Sequence, residues 1–111
     1  MPQTEVVTIE STGRYHFEGG DHGDVAISMV VVSHLTERVG PESHVHPYAE
    51  VFVVHEGEAT FVVDGETIVA VGGQIVVAPT GASHKFTNTG SEPLRLTAIH
   101  PSTHLVVTPD H

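Results

Sequence analysis

The feature that most constrains this chain is a recurring one. Short runs rich in Val, Ile, Thr and Phe alternate with Gly, Pro and Asp-Gly breaks, and no window carries the apolar spacing of an amphipathic helix over three turns. A chain patterned in this way buries its apolar side chains through sheets. Strands are expected near residues 4–9, 25–35, 50–55, 59–64, 66–71, 74–79, 84–89 and 94–99, with a last one at 104–108. Asp64-Gly65, flanked by alternating apolar residues, is the strongest hairpin signal, because a two-residue type I′ turn needs positive φ at both central positions. Many short strands at near-even spacing in 111 residues predict an all-β sandwich or small barrel. No linker, repeat or low-complexity segment divides the chain, so one domain over residues 1–111 is expected.

Composition narrows the chemistry. There is no cysteine, which removes disulfides, thiolate metal sites and thiol nucleophiles, so any metal must be held by nitrogen and oxygen. Fourteen Asp and Glu stand against four basic residues, Arg14, Arg38, Lys85 and Arg95. Four scattered cations cannot build the footprint that a phosphate backbone requires, and no nucleic-acid partner is expected. The start MPQTEVVTIE has no basic region followed by an apolar run, and no stretch approaches bilayer-spanning length. A soluble cytoplasmic protein without a membrane partner is the expectation. Histidine is the compositional outlier, with ten in the chain.

The stretch HVHPYAEVFVVHEG, residues 44–57, concentrates that histidine beside a carboxylate and an apolar run. On an extended strand, side chains two apart share a face at about 6.6–6.8 Å, close enough for the His44 and His46 imidazoles to converge on one ion. Glu50 has the same parity, and Phe52 and Val54 continue it, although Pro47 interrupts regular strand between them. A buried carboxylate beside Val and Phe is costly unless a cation compensates it. A further histidine, His84, follows a Pro-Thr-Gly turn 34 residues beyond Glu50 and opens a strand, as a barrel requires of a fourth ligand brought across to the first three.

These residues carry a resemblance to the cupin superfamily, as a small member with one domain and both family motifs. His44, His46, Glu50 and Gly57 fall at the intervals of G(X)5HXH(X)3-4E(X)6G, a first motif spanning about 38–57. Gly73, Pro79, Gly81, His84 and Asn88 match G(X)5PXG(X)2H(X)3N in full, a second motif over about 73–88. The one departure is Arg38 at the leading glycine of the first motif, with Gly40 two residues late. The resemblance implies a six- to eight-strand antiparallel β-barrel or jelly roll, the double-stranded β-helix, with a divalent metal bound by His44, His46, Glu50 and His84. Three imidazoles and one carboxylate suit Mn, Fe, Ni, Cu or Zn over Ca or Mg.

Around that set, Phe52, Val54 and Phe86 share parity with the ligands and are candidates for pocket wall or plain core. Tyr48, in the loop between ligands, is a candidate gate or hydrogen-bond donor, or a rim aromatic. His34 and His100 sit near strand ends and read more simply as surface histidines than as substrate contacts, and Lys85 as exterior. Asn88 reads equally well as a polar strand end. The N-terminal TEVVTI run is a candidate edge strand, and the resemblance implies a homodimer in which such a strand reaches across. Two functions follow. One is a small metalloenzyme, such as a dioxygenase, isomerase, cyclase or decarboxylase, acting on an oxygen-rich small molecule, with Glu50 as ligand and possible general base. The other is a metal-dependent module that binds a sugar or organic acid without turning it over.

Overall fold

The chain reverses where the sequence marks it. Asp64 and Gly65 take φ of 47° and 81°, closing a hairpin between β5 (Glu58–Val63) and β6 (Glu66–Val71) with Val63 paired to Glu66. The computed structural model describes residues 4–10, 13–36, 42–106 and 108–109. Around that hairpin the described residues form β1 (Gly13–Glu18), β2 (Ser28–Leu35), β3 (His44–Val45), β4 (Glu50–Glu56), β7 (Gln74–Ala78), β8 (His84–Asn88), β9 (Leu94–His100) and β10 (Thr108–Pro109). They assemble as two five-stranded antiparallel sheets, ordered β1-β2-β9-β4-β7 and β10-β3-β8-β5-β6. The fold is an all-β antiparallel jelly roll. Among the described residues no helix is long and apolar enough to cross a membrane.

Period-two alternation aims one row of each strand inward. Phe52 and Val54 of β4, Phe61 of β5, Phe86 of β8 and Leu94, Leu96 and Ala98 of β9 fill the space between the sheets. Phe52, Phe61 and Phe86 meet with ring centroids 5.0–6.0 Å apart, and burial of each such side chain stabilises by about 1.5–3 kcal/mol. At one end of the barrel the inward positions turn polar. Glu50 opens β4, His84 opens β8, His44 opens β3 and His100 closes β9. Because β4 and β9 run antiparallel, the start of one lies beside the end of the other, and His44 pairs directly with His84 across β3 and β8. Four strand termini thus deliver Glu50 and three histidines to one place.

The outward row of the first sheet is unusual in being apolar. Registers align Val77, Val51, Ile99, Met29 and Phe17 in one cross-strand row, and Ile75, Val53, Thr97, Val31 and Tyr15 in the next. Ile75 and Val77 are 63% and 57% exposed. The outer face of the second sheet is mixed, with Lys85, Thr60, Thr67 and Thr87 beside Val62 and Val69, the last 57% exposed.

Four expectations need correction. Residues 4–9 form no strand: Val6 is 87% exposed, and extended backbone counts as strand only where a neighbour pairs with it. The edge strand is β1 instead. The last strand does not cover 104–108, since 104–106 are unpaired and β10 begins at Thr108, with Val107 outside the described residues. The second strand begins at Ser28, three residues later than expected. There are ten strands among the described residues, two of them only two residues long, against the six to eight implied. Arg38 and Gly40 lie outside the described residues.

Candidate metal centre

The Pro79-Thr80-Gly81 turn builds the site locally. Gly81 takes φ of 77°, a conformation that favours glycine, and donates its N–H to the His46 carbonyl at 3.0 Å. That bond ties the second motif to the first, three residues before β8 delivers His84. His44, His46, Glu50 and His84 then present ligand-type atoms all within 4.8 Å of one another, with His46, Glu50 and His84 buried and His44 half-buried.

Backbone carbonyls choose the tautomer of all three imidazoles. His44 Nδ1 faces the Glu42 carbonyl at 2.9 Å, His84 Nδ1 the Ala82 carbonyl at 2.9 Å and His46 Nδ1 the Val106 carbonyl at 2.5 Å. A carbonyl can only accept, so each Nδ1 carries a proton, and each neutral ring turns a bare Nε2 lone pair to the common centre. Glu50 Oε1 lies 2.7 Å from His46 Nε2 and 2.9 Å from His84 Nε2. His46 Nε2 is nonetheless buried without a hydrogen bond. Lone pairs on imidazole nitrogen and carboxylate oxygen repel at such distances unless a cation lies among them. The donor set and the orphaned nitrogen fit a divalent transition metal.

Protonation is shifted in keeping with this crowding. Burial is the largest influence on Glu50 and opposes its ionisation, but the facing imidazoles of His100, His46 and His84 outweigh it and hold the carboxyl well below the usual range. On His84 burial disfavours the imidazolium, yet the Glu50 carboxylate and the Ala82 carbonyl outweigh that and raise its pKa. His44 goes down, chiefly through burial. Tyr48 goes up, again chiefly through burial.

His100 is the residue that sequence reasoning placed wrongly. It is 3% exposed and sets Nε2 3.3 Å from Glu50 Oε2. The Tyr48 hydroxyl accepts the Val106 N–H at 3.1 Å and lies 2.7 Å from His100 Nδ1 and 3.4 Å from the Val106 carbonyl. An ionised carboxylate can only accept, so His100 carries its proton on Nε2, the opposite tautomer to the other three, and its Nδ1 accepts from the Tyr48 hydroxyl. It faces Glu50 as a donor and leaves Oε1 for the centre. Tyr48 stacks on His46 with centroids 5.0 Å apart, so one loop aromatic contacts both a candidate ligand and the His100 that faces another.

Beside the centre lies a cavity of about 530 Å³, within the range of small-molecule sites. His44, Glu50 and His100 form its polar end, and Phe52 and Phe86 belong to its wall. Val54 sits in the core at 1% exposure and Tyr48 packs behind His46; neither is part of the cavity wall. His34 and Lys85 are exposed.

A family model described as Cupin domain matches residues 31–100, more than half of the chain. The chain belongs to the cupin family. No curated protein matches this cupin by sequence. Among solved structures it is similar to a recombinant oxalate oxidase in complex with glycolate, at 19% identity and a TM-score of 0.74, covering 92% of this chain and 56% of that one. It is similar also to the S161A mutant of *Bacillus subtilis* oxalate decarboxylase, at 23% identity and a TM-score of 0.77, covering 96% of this chain and 30% of that one. The cupin described here thus spans about half of the oxidase chain and under a third of the decarboxylase chain, and the likeness is one of fold.

Proposed function

We propose that this cupin is a metal-dependent enzyme acting on a small oxygen-bearing organic molecule, with one divalent transition metal held by His44, His46, Glu50 and His84. The observation that carries the reading is the shared tautomer of the three imidazoles, each proton spent on a carbonyl and each Nε2 facing Glu50 across less than 4.8 Å. When bound, the metal supplies Lewis-acid polarisation of a substrate oxygen or, if redox-active, electron transfer to dioxygen. The chain's own groups hold Glu50 through His100 and Tyr48, and their apolar surroundings limit water at the donors. The similar structures concern oxalate enzymes and, in one case, Mn(II) centres. A two-carbon dianion matches poorly a cavity walled by Val30, Val32, Phe52, Phe86 and Leu96.

One observation favours binding without turnover. Both Glu50 oxygens are committed, Oε1 to the centre it shares with His46 and His84 and Oε2 to His100, so a general-base role for Glu50 requires one of them to be released. Anaerobic reconstitution with Mn, Fe, Ni and Zn in turn, followed by metal analysis, oxygen-uptake assays and a small-molecule screen, tests both readings. Near-unit stoichiometry with product formation supports the enzyme, and tight binding with no product under any metal supports the binding module. A stoichiometry near zero after reconstitution defeats both. We further propose a homodimer, supported by the apolar outer face of the first sheet.

A further inference from the structure

We infer that the ligand of this site is an organic carboxylate with an apolar body, its oxygen donor at the metal centre and its acid group at Arg14 and His16 of β1. The inference rests on the metal-dependent reading above and names the substrate class for that same site. Register sets Arg14 beside Val32 and His16 beside Val30. Val32 is a core residue and Val30 packs against the core, so both polar side chains stand on the inner face of the sheet. Tyr15 and Phe17 stand on the outer face. A strand that served only to close the barrel would carry the reverse order, with its rings inward and its charges outward.

Arg14 and His16 both line the cavity. Among the described residues Arg14 makes no hydrogen bond or ion pair, whereas Arg95 pairs with Glu56 at 2.9 Å and Lys85 points to solvent from the second sheet. A guanidinium left free at the mouth of an apolar cavity matches a carboxylate, which its planar fork meets with two parallel hydrogen bonds.

Register also spaces the two ends of the ligand. Ser28 lies opposite His100, and Arg14 lies opposite Val32, four residues further along β2 and about 13 Å at the rise of a strand. His16 stands midway. The rest of the cavity wall is mainly apolar, with Val30, Val32, Phe52, Phe86, Leu96 and Leu105, and Glu42 and Ser43 line it next to His44 in the chain. The acid and the metal-directed oxygen are therefore separated by several apolar bonds, which a two-carbon diacid cannot span.

The test uses the zinc-loaded protein and β-diketones bearing a straight alkyl chain ended by a carboxylate, from two to six methylenes long, each compared with its methyl ester by calorimetry. At least one acid is expected to bind about tenfold or more tightly than its ester, with a gap that narrows as salt is raised. Arg14→Ala is expected to abolish that gap without changing zinc stoichiometry, and Arg14→Lys to retain part of it. Equal binding of acid and ester by the wild type, or a gap that survives Arg14→Ala, overturns the carboxylate subsite and leaves the metal-dependent reading standing. If none of the diketones binds the zinc-loaded protein, the reading of the cavity as a metal-assisted ligand site falls, and the subsite with it.

Discussion

His100 and His84 illustrate how two histidines against one carboxylate acquire different work. His84 donates its Nδ1–H to a carbonyl and offers a lone pair at Nε2, while His100 accepts a hydrogen bond from Tyr48 at Nδ1 and offers an N–H at Nε2. Replacing His100 by Phe removes the donor that orients Glu50 Oε2 but none of the four ligands. Metal stoichiometry should therefore stay near one while affinity falls about 10- to 100-fold, measured by competition with a chromophoric chelator. The pH dependence follows from His84. Its pKa lies above the ordinary 6.5, so protons compete with metal already above that value, and affinity falls about tenfold per pH unit for each ligand that titrates as the solution is acidified. In metal-free protein the His84–Glu50 contact behaves differently. The His84 contribution is complete below 6.5 and lost as pH rises through its raised folded value; that of Glu50 is complete above 4.5 and lost as pH falls. The stability difference between wild type and His84→Asn, both metal-free, should thus be largest between about 4.5 and 6.5 in thermal melts across pH. The four candidate ligands were legible because local spacing and a turn announce them. His100 was not, since nothing within β9 says that its last inward position faces a carboxylate on β4.

Among elements, Asn88 shows how a strand end can hold two sheets together. Buried at 2% exposure in β8, it donates from Nδ2 to the Leu35 carbonyl at the end of β2 and to the Glu92 carbonyl, and accepts the Gly90 N–H at Oδ1. Asn88→Ala withdraws all three bonds and leaves the buried Leu35 carbonyl without its 2.8 Å donor. The expected loss is about 3 kcal/mol in urea unfolding, and metal content of the folded fraction should be unchanged because His84 lies four residues away on the same strand, held by its own carbonyl. Strands β4 to β9 could be read from sequence within one or two residues, because each is a compact apolar run bounded by a break. Strand β1 could not. Its inner positions are Arg14 and His16 and its outer ones Tyr15 and Phe17, so the alternation offers no inward apolar row to recognise. The 4–9 run misled for the converse reason, since Val and Ile propensity cannot form a strand where no neighbour supplies the ladder.

Taken as a molecule, the chain has two features that act on stability from outside its core. On the proposed metal-dependent reading the ion binds the folded site alone, so zinc held free at 1,000 times its Kd should stabilise by about 4 kcal/mol, and adding a chelator should lower Tm accordingly. The second is the outer face of β1-β2-β9-β4-β7. Its two cross-strand rows are apolar except for Thr97, half-buried at most positions and open at Ile75 and Val77, whereas the outer rows of the second sheet mix Lys85, Thr60, Thr67 and Thr87 with Val62 and Val69. A chain carrying a formal charge of −10 has ample charge to solvate a face, yet places none in these two rows. Sheets stack face to face at about 10 Å, and two copies related by a two-fold axis would cover this face with itself. Ile75→Glu with Val77→Glu sets carboxylates at its open edge without touching the core or the metal centre, so fold and metal content should persist. Light scattering at micromolar concentration should find the wild type dimeric and the double variant monomeric. A monomeric wild type would remove the dimer, and a double variant that stays dimeric would move the interface elsewhere.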